Sequence, residues 1–187
     1  MFEESLKFYK DFPTPGIKFV DIMPLFQDKE KFINLIKETG SFITAPSVAV
    51  PEARAFLFAS PLLCVTENVS NMIPFRKKGK LPSSEGDMLE VEIMKEYGSD
   101  KLFYRKSDIA AGKIEDGVFK IAILDDILAT GGTAEGMARS LESIRIEVDG
   151  KEYGIKVTEF VFIVEIDGLE GRKRLESIAP VHSVAHI

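Results

Sequence analysis

The sequence predicts an α/β fold, a mainly parallel central sheet flanked by helices. Three observations predict it. Apolar runs at 119–124 and 159–166 are continuous rather than alternating, as in strands buried on both faces. Segments with helical spacing of apolar residues separate such runs, the order of strand–helix–strand units. The 187 residues, 45% hydrophobic and 29% charged, suffice for one domain with a sizeable core. No internal repeat or long linker divides the chain, so residues 1–187 are expected to form a single domain.

Residues 3–10 read as a short amphipathic helix. Pro13 and Pro15 then force an extended loop over 12–17, since each fixes φ and disfavours helix before it. Asp28 caps a helix over 29–43, with Phe32, Leu35, Ile36, Phe42 and Ile43 on its core side. A short buried strand follows at 47–50, then a loop running into an apolar helix over 52–63, then a strand at 72–75. Segment 76–86 is basic at first and then rich in Gly, Pro and Ser, which marks a flexible loop. Residues 88–93 form a strand, 97–100 a turn, and 101–104 resume extended structure. The buried strand 119–124 leads through a loop to a helix at 133–144. Residues 144–157 alternate around Asp149-Gly150, a hairpin signal, and read as a surface hairpin without a chemical role. A strand at 159–166, a helix at 169–177 and a strand at 181–185 complete the chain.

The composition excludes several function classes. The net charge of −6 leaves only a local surface for nucleic acid, and none is expected. Cys64 is the only cysteine, so an internal disulfide and a cysteine-rich zinc site are excluded, and a reducing cytoplasm fits. Its apolar surroundings, Pro61 to Val65, predict a buried, inert thiol. No run approaches the roughly 18 apolar residues of a membrane span, and the start lacks a signal-peptide pattern.

The chemistry concentrates in 121–133, Ile-Ala-Ile-Leu-Asp-Asp-Ile-Leu-Ala-Thr-Gly-Gly-Thr. The apolar run ends in Asp125 and Asp126, and Thr130-Gly131-Gly132-Thr133 opens a helix. Ligands of α/β sheets sit beyond the carboxyl ends of the strands. Glycines let the backbone approach such a ligand, and threonine hydroxyls with free helix-start N–H groups hold phosphate. Paired carboxylates suit sugar hydroxyls or a hard cation such as Mg²⁺. One ligand satisfies both halves, a phosphorylated ribose. The spacing fits neither a P-loop nor a dinucleotide loop.

Further segments can join this site. Arg54 follows a strand and can reach a diphosphate or a base; the alternative is a solvated arginine at a helix start. Arg76, Lys77, Lys78 and Lys80 lead into the flexible loop, as for a lid over an anionic substrate. Glu96 can serve as an acid or base beneath such a lid. Phe19 can stack on a planar base or belong to the core.

The segments Phe12-Pro-Thr-Pro-Gly-Ile-Lys-Phe19-Val-Asp21, Arg54-Ala-Phe56, Arg76-Lys-Lys-Gly79-Lys80-Leu81-Pro82, Glu96-Tyr97-Gly98-x-Asp100 and Asp125-Asp126-Ile-Leu-Ala129-Thr-Gly-Gly-Thr133 occur in order. Together they resemble the adenine phosphoribosyltransferase family of type I phosphoribosyltransferases, over roughly residues 10 to 180. The acidic pair with Thr-Gly-Gly-Thr indicates the superfamily; the Phe-Pro-x-Pro-Gly-Ile and Glu-Tyr-Gly segments point to adenine, against another nucleobase or a non-catalytic nucleotide sensor on the same fold.

The resemblance implies a small N-terminal hood, mainly 1–25, a flexible loop, and a purine-salvage reaction: adenine and phosphoribosyl diphosphate give AMP and diphosphate, with Mg²⁺. It implies that Arg54, Arg76, Lys77, Lys80 and Tyr97 join Asp125, Asp126, Ala129, Thr130, Gly131, Gly132 and Thr133 in holding phosphoribosyl diphosphate or AMP. Asp125 and Asp126 would take the ribose hydroxyls, and could meet Mg²⁺ through water. Glu96 would be catalytic, and Lys18 (by its backbone), Phe19, Arg54 and Ile127 would line the adenine pocket. A homodimer in the cytoplasm is expected. One departure stands out: the family's usual acidic-Ser-Arg-Gly-Phe turn reads Glu52-Ala53-Arg54-Ala55-Phe56 here.

Overall fold

The computed structural model describes residues 2–12, 14–16, 18–95 and 98–187. In chain order its strands and helices are β1 (Lys7–Lys10), β2 (Lys18–Asp21), α1 (Lys29–Ser41), β3 (Ser47–Pro51), α2 (Phe56–Val65), β4 (Asn71–Lys77), β5 (Met88–Lys95), β6 (Gly98–Arg105), α3 (Lys106–Ala110), β7 (Ile114–Glu115), β8 (Val118–Leu128), α4 (Gly132–Glu142), β9 (Arg145–Val148), β10 (Lys151–Glu165), α5 (Gly171–Glu176) and β11 (Val181–His186). Short 3-10 turns occupy Phe2–Ser5 and Met23–Gln27.

The main sheet has the order β11-β10-β8-β3-β4-β6-β5. Its five strands from β11 to β4 run parallel, and β6 and β5 continue it antiparallel. From β3 the chain passes through α2 to β4 on one side; from β8 it passes through α4 to β10 on the other. The order reverses between β3 and β8, and a crevice opens at their carboxyl ends.

Both faces of this sheet are covered, which is why its strands read as continuous apolar runs. One cluster joins Phe119, Ile121 and Ile123 of β8 to Met137, Ala138 and Leu141 of α4. The other joins Val48, Val50, Ala122 and Leu124 to Leu35 and Ile36 of α1 and Phe58 and Leu62 of α2. Asp28 caps α1 as expected, accepting from the N–H groups of Glu30 and Lys31, each at 3.1 Å. Glu159, buried on β10, ties the turn before β3: it accepts from Thr44 N (2.8 Å), Thr44 Oγ1 (2.9 Å) and Ala45 N (2.9 Å).

Several expectations are corrected. Residues 7–10 form a strand, not a helix, because they pair antiparallel with β2 from Lys7↔Asp21 to Lys10↔Lys18; pairing overrides the local helical period. Strand β8 does not stop at Leu124: parallel pairing with β10 continues to Glu165↔Leu128, so Asp125 and Asp126 lie within the strand. Residues 98–100, expected in a turn, are already part of β6. Cys64 is exposed, not buried, since α2 buries Phe58, Ala59 and Leu62 and turns Cys64 outward. The hairpin at 144–157 is present as β9 and the start of β10, with Asp149 and Gly150 both at positive φ. Its Ile146 is buried in the α4-side cluster, so it closes part of the core rather than standing free.

Among the described residues, no helix is long and apolar enough to cross a membrane.

Candidate active site

The crevice at the strand-order reversal holds a cavity of about 220 Å³. It is lined by the turn after β3 (Glu52, Ala53, Arg54), the end of β4 (Lys77), the acidic pair of β8, Thr133 of α4, and Ile93, Asp100 and Leu102 of the β5–β6 hairpin. The cavity thus brings together Arg54, Lys77, Asp125, Asp126 and Thr133 from segments far apart in sequence. Four carboxylates (Glu52, Asp100, Asp125, Asp126) face two cationic side chains in this lining.

Arg54 turns toward the acidic pair of β8. Its Nε lies 2.6 Å from Asp126 Oδ2, an ion contact rather than an aligned hydrogen bond. Its guanidinium also sits over the Phe19 ring, 5.8 Å from the centroid. Phe19 is half-buried and meets Phe12 edge-on at 5.0 Å, so one face of the hood bears directly on Arg54. Lys18 is placed by its backbone in β2. Ile127 is partly buried and packs on the α1–α2 side of the sheet.

The acidic pair is electrostatically loaded. Burial, and then the neighbouring Asp126 carboxylate, push the Asp125 carboxyl well above its ordinary value of 3.8, while Arg54 opposes the shift. Asp125 also accepts the Asp126 N–H at 2.8 Å, which orients it. Such a pair is eased by a donor hydroxyl or a cation brought between its oxygens.

The loop beyond β8 keeps its backbone groups available. Gly131 precedes α4 at φ +76°, a left-handed conformation that favours glycine, and no side chain caps the helix. Neither the Thr130 nor the Thr133 hydroxyl is spent on capping. Ala129, Thr130, Gly131, Gly132 and Thr133 are all half-buried; of these Thr133 lines the cavity, while Ala129 faces a second pocket shared with Gly171 and Arg172. Only Gly131 of the two glycines has the positive φ that requires the residue.

The basic segment is divided by the structure. Arg76 and Lys77 belong to β4, not to the loop. Arg76 pairs with Glu52 and lies over the Phe56 ring at 5.6 Å, behind the cavity rather than in its lining. Lys77 Nζ faces Asp100 Oδ2 at 3.8 Å. Lys80 is exposed in the turn that follows and does not line the cavity. The loop itself is tethered, since Leu81 is buried and Arg105 Nη1 donates to the Pro82 carbonyl at 3.2 Å. Glu96 and Tyr97 lie outside the described residues. The Glu52–Ala53 peptide is cis. Ala55 has ordinary helical angles (φ −59°, ψ −29°), so alanine is accommodated where the related turn usually carries glycine.

Sequence reasoning missed Asp100 and Glu52 as lining residues. Both stood inside segments already singled out, but nothing local shows that the β5–β6 hairpin folds back over the crevice.

No protein-family model matches the chain. The sequence is similar to the adenine phosphoribosyltransferase of Candida albicans, 35% identical over 183 residues, 96% of this chain and 86% of that protein. It is likewise similar to that of Desulfitobacterium hafniense, 36% identical over 178 residues, 94% of this chain and 91% of that protein. The structure superposes on the adenine phosphoribosyltransferase of Thermoanaerobacter pseudethanolicus with a TM-score of 0.80 at 32% identity, covering 100% and 98% of the two chains. It also resembles the Saccharomyces cerevisiae enzyme complexed with an imino-altritol bisphosphate and adenine (TM-score 0.74, 29% identity, 98% and 96% covered).

Proposed function

Because this chain belongs to the adenine phosphoribosyltransferase family, we propose that it transfers the 5-phosphoribosyl group of phosphoribosyl diphosphate to adenine, giving AMP and diphosphate in purine salvage. The observation that carries the reading is the convergence of Arg54, Lys77, Asp125, Asp126 and Thr133 on one cavity. The C1′–O bond to diphosphate breaks, a bond from the purine N9 forms, and N9 loses its proton. Positive charge grows on the ribose and negative charge on the leaving group.

The residues divide this work. Ala129 to Thr133 hold the 5′-phosphate with backbone N–H groups and hydroxyls. Asp125 and Asp126 accept the ribose hydroxyls and stabilise the cationic sugar. Lys77 and Arg54, with Lys80 from the loop, meet the diphosphate; Arg76, paired with Glu52, holds the floor of that wall. The base stacks between Phe19 and the body of the enzyme, with Ile127 and the Lys18 backbone beside it. Glu96 handles a proton at the purine ring, and Tyr97 adjoins the sugar.

Mg²⁺ fits the donor set. Hard carboxylate oxygens outnumber cationic groups around the cavity, although the incoming substrate is itself strongly anionic. Asp125 and Asp126 would hold the ion through water and through the substrate. When bound it neutralises charge on the departing diphosphate.

A second copy of this chain covers the outer face of α2. That helix is apolar nearly all round, and Leu57, Leu63, Cys64 and Val65 remain exposed on it. A single cysteine fits a reducing cytoplasm.

The decisive assay incubates the protein with phosphoribosyl diphosphate, Mg²⁺ and, separately, adenine, guanine, hypoxanthine, xanthine or uracil. AMP from adenine alone is expected; no nucleotide from any base would overturn the proposal.

A further inference from the structure

The loop assigned to the 5′-phosphate does not stand alone. Its rear is in contact with the connection between β10 and α5. A Cβ on Gly171 would run into the carbonyl of Ala129 and lie 2.8 Å from Leu128 Cδ1. Reciprocally, a Cβ on Gly131 would lie 3.1 Å from the Gly171 carbonyl oxygen and 3.4 Å from its Cα. The two glycines therefore interlock, backbone against backbone, where side chains are excluded.

Gly171 is itself held. The next residue, Arg172, forks onto buried Glu165, with Nε to Oε1 at 2.9 Å and Nη2 to Oε2 at 2.5 Å. Its Nη1 donates to the Val181 carbonyl at 2.7 Å, and Ser183 Oγ donates to Glu165 Oε2 at 2.6 Å. Glu165 pairs in register with Leu128, the last residue of β8 before the loop. A rigid link thus runs from β11 through Arg172 and Gly171 to Ala129 and Gly131.

We propose that Gly171, fixed by the Arg172–Glu165 fork, is a positioning residue that braces the phosphate loop from behind and sets the affinity for phosphoribosyl diphosphate. The inference rests on the assignment of 129–133 to the 5′-phosphate. A hydrogen-bond cradle must be held to within a fraction of an ångström, and displacement of about 1 Å is enough to cost roughly a hundredfold. The Ala129 carbonyl cannot stay in place beside a Cβ at 171.

The test compares Gly171→Ala and Arg172→Lys with the parent enzyme, and with Glu159→Ala as a control destabilised at the opposite end of β3. In Gly171→Ala the KM for phosphoribosyl diphosphate rises roughly ten- to hundredfold, while the KM for adenine stays within about twofold. Arg172→Lys keeps the charge, loses the fork, and shows the same split at smaller size; it decides the matter if Gly171→Ala fails to fold. Glu159→Ala lowers the melting temperature with both KM values unchanged. Equal changes in both KM values, or none in either, overturn the inference. Calorimetric titration with ribose 5-phosphate needs no turnover. Unaltered binding in both variants removes the inference alone, whereas absence of AMP formation by the parent removes the catalytic reading.

Discussion

Replacing Glu159 with alanine should destabilise the protein strongly without touching substrate binding. The carboxylate is buried and accepts three hydrogen bonds, from Thr44 N, Thr44 Oγ1 and Ala45 N. A hydrogen bond to a charged group contributes about 1.5–3 kcal/mol, and a buried donor left alone costs about 1–3 kcal/mol. Ala45 is fully buried, so its N–H cannot recover a partner from bulk water. Thr44 is exposed and can, and removal of the buried charge gives some energy back. The net loss is about 3–5 kcal/mol, since such terms do not add fully. For a chain of this length each kcal/mol shifts the midpoint by roughly 2–4 °C, so thermal unfolding followed by circular dichroism should move down by about 6–20 °C. The affected turn lies at the start of β3, and Arg54 follows its other end, so both KM values should stay at parental levels. A fall of less than about 2 °C would refute the reasoning, because it would mean the three donors are satisfied without the carboxylate.

The other predictions concern the site, the assembly and pH. Phe19→Ala should raise the KM for adenine about 5- to 100-fold, the value of one base–aromatic stack, and leave that for phosphoribosyl diphosphate unchanged in steady-state assays. Glu96→Gln should lower kcat roughly 10²- to 10⁴-fold with little change in phosphoribosyl diphosphate binding; near-parental kcat would remove Glu96 from its role. Leu57→Glu combined with Leu63→Glu should halve the mass measured by light scattering, whereas an unchanged dimer would exclude the outer face of α2 as the interface. Burial tends to raise the Glu165 carboxyl, but hydrogen bonds from Arg172 and Ser183 outweigh it and hold the group below its ordinary 4.5. A depressed carboxyl contributes stability above its unfolded value and loses it as pH falls through the folded one, so the contribution fades below about pH 4.5. Arg172→Gln should therefore move the acid-unfolding midpoint to higher pH, measured by circular dichroism between pH 3 and 6; an unmoved midpoint would contradict the pairing.

Much of the fold was legible in one dimension because its signals are local. The Asp28 cap, the continuous runs of β8 and β10 and the Asp149-Gly150 hairpin each depend on neighbours in sequence, and each is present. The hood was misread because residues 7–10 owe their extended form to β2, not to their own spacing. Cys64 was misread because apolar neighbours do not reveal which face of α2 meets the core.

The sequence by itself determined the chemical groups at hand: a carboxylate pair, a glycine-rich loop before a helix, a basic segment and an adenine-type signature. Residue types and short spacings carry that information. Only the tertiary structure decided which of these groups meet. It set Arg54 against Asp126 and Phe19, turned Arg76 onto Glu52 and out of the cavity lining, brought Asp100 over the crevice beside Lys77, and wedged Gly171 behind Gly131. Apart from the Phe19 contact, which comes from the separate β1–β2 sheet, each of those contacts joins segments that the strand order makes adjacent, and strand order is set by burying both faces of one sheet, a property of the whole chain.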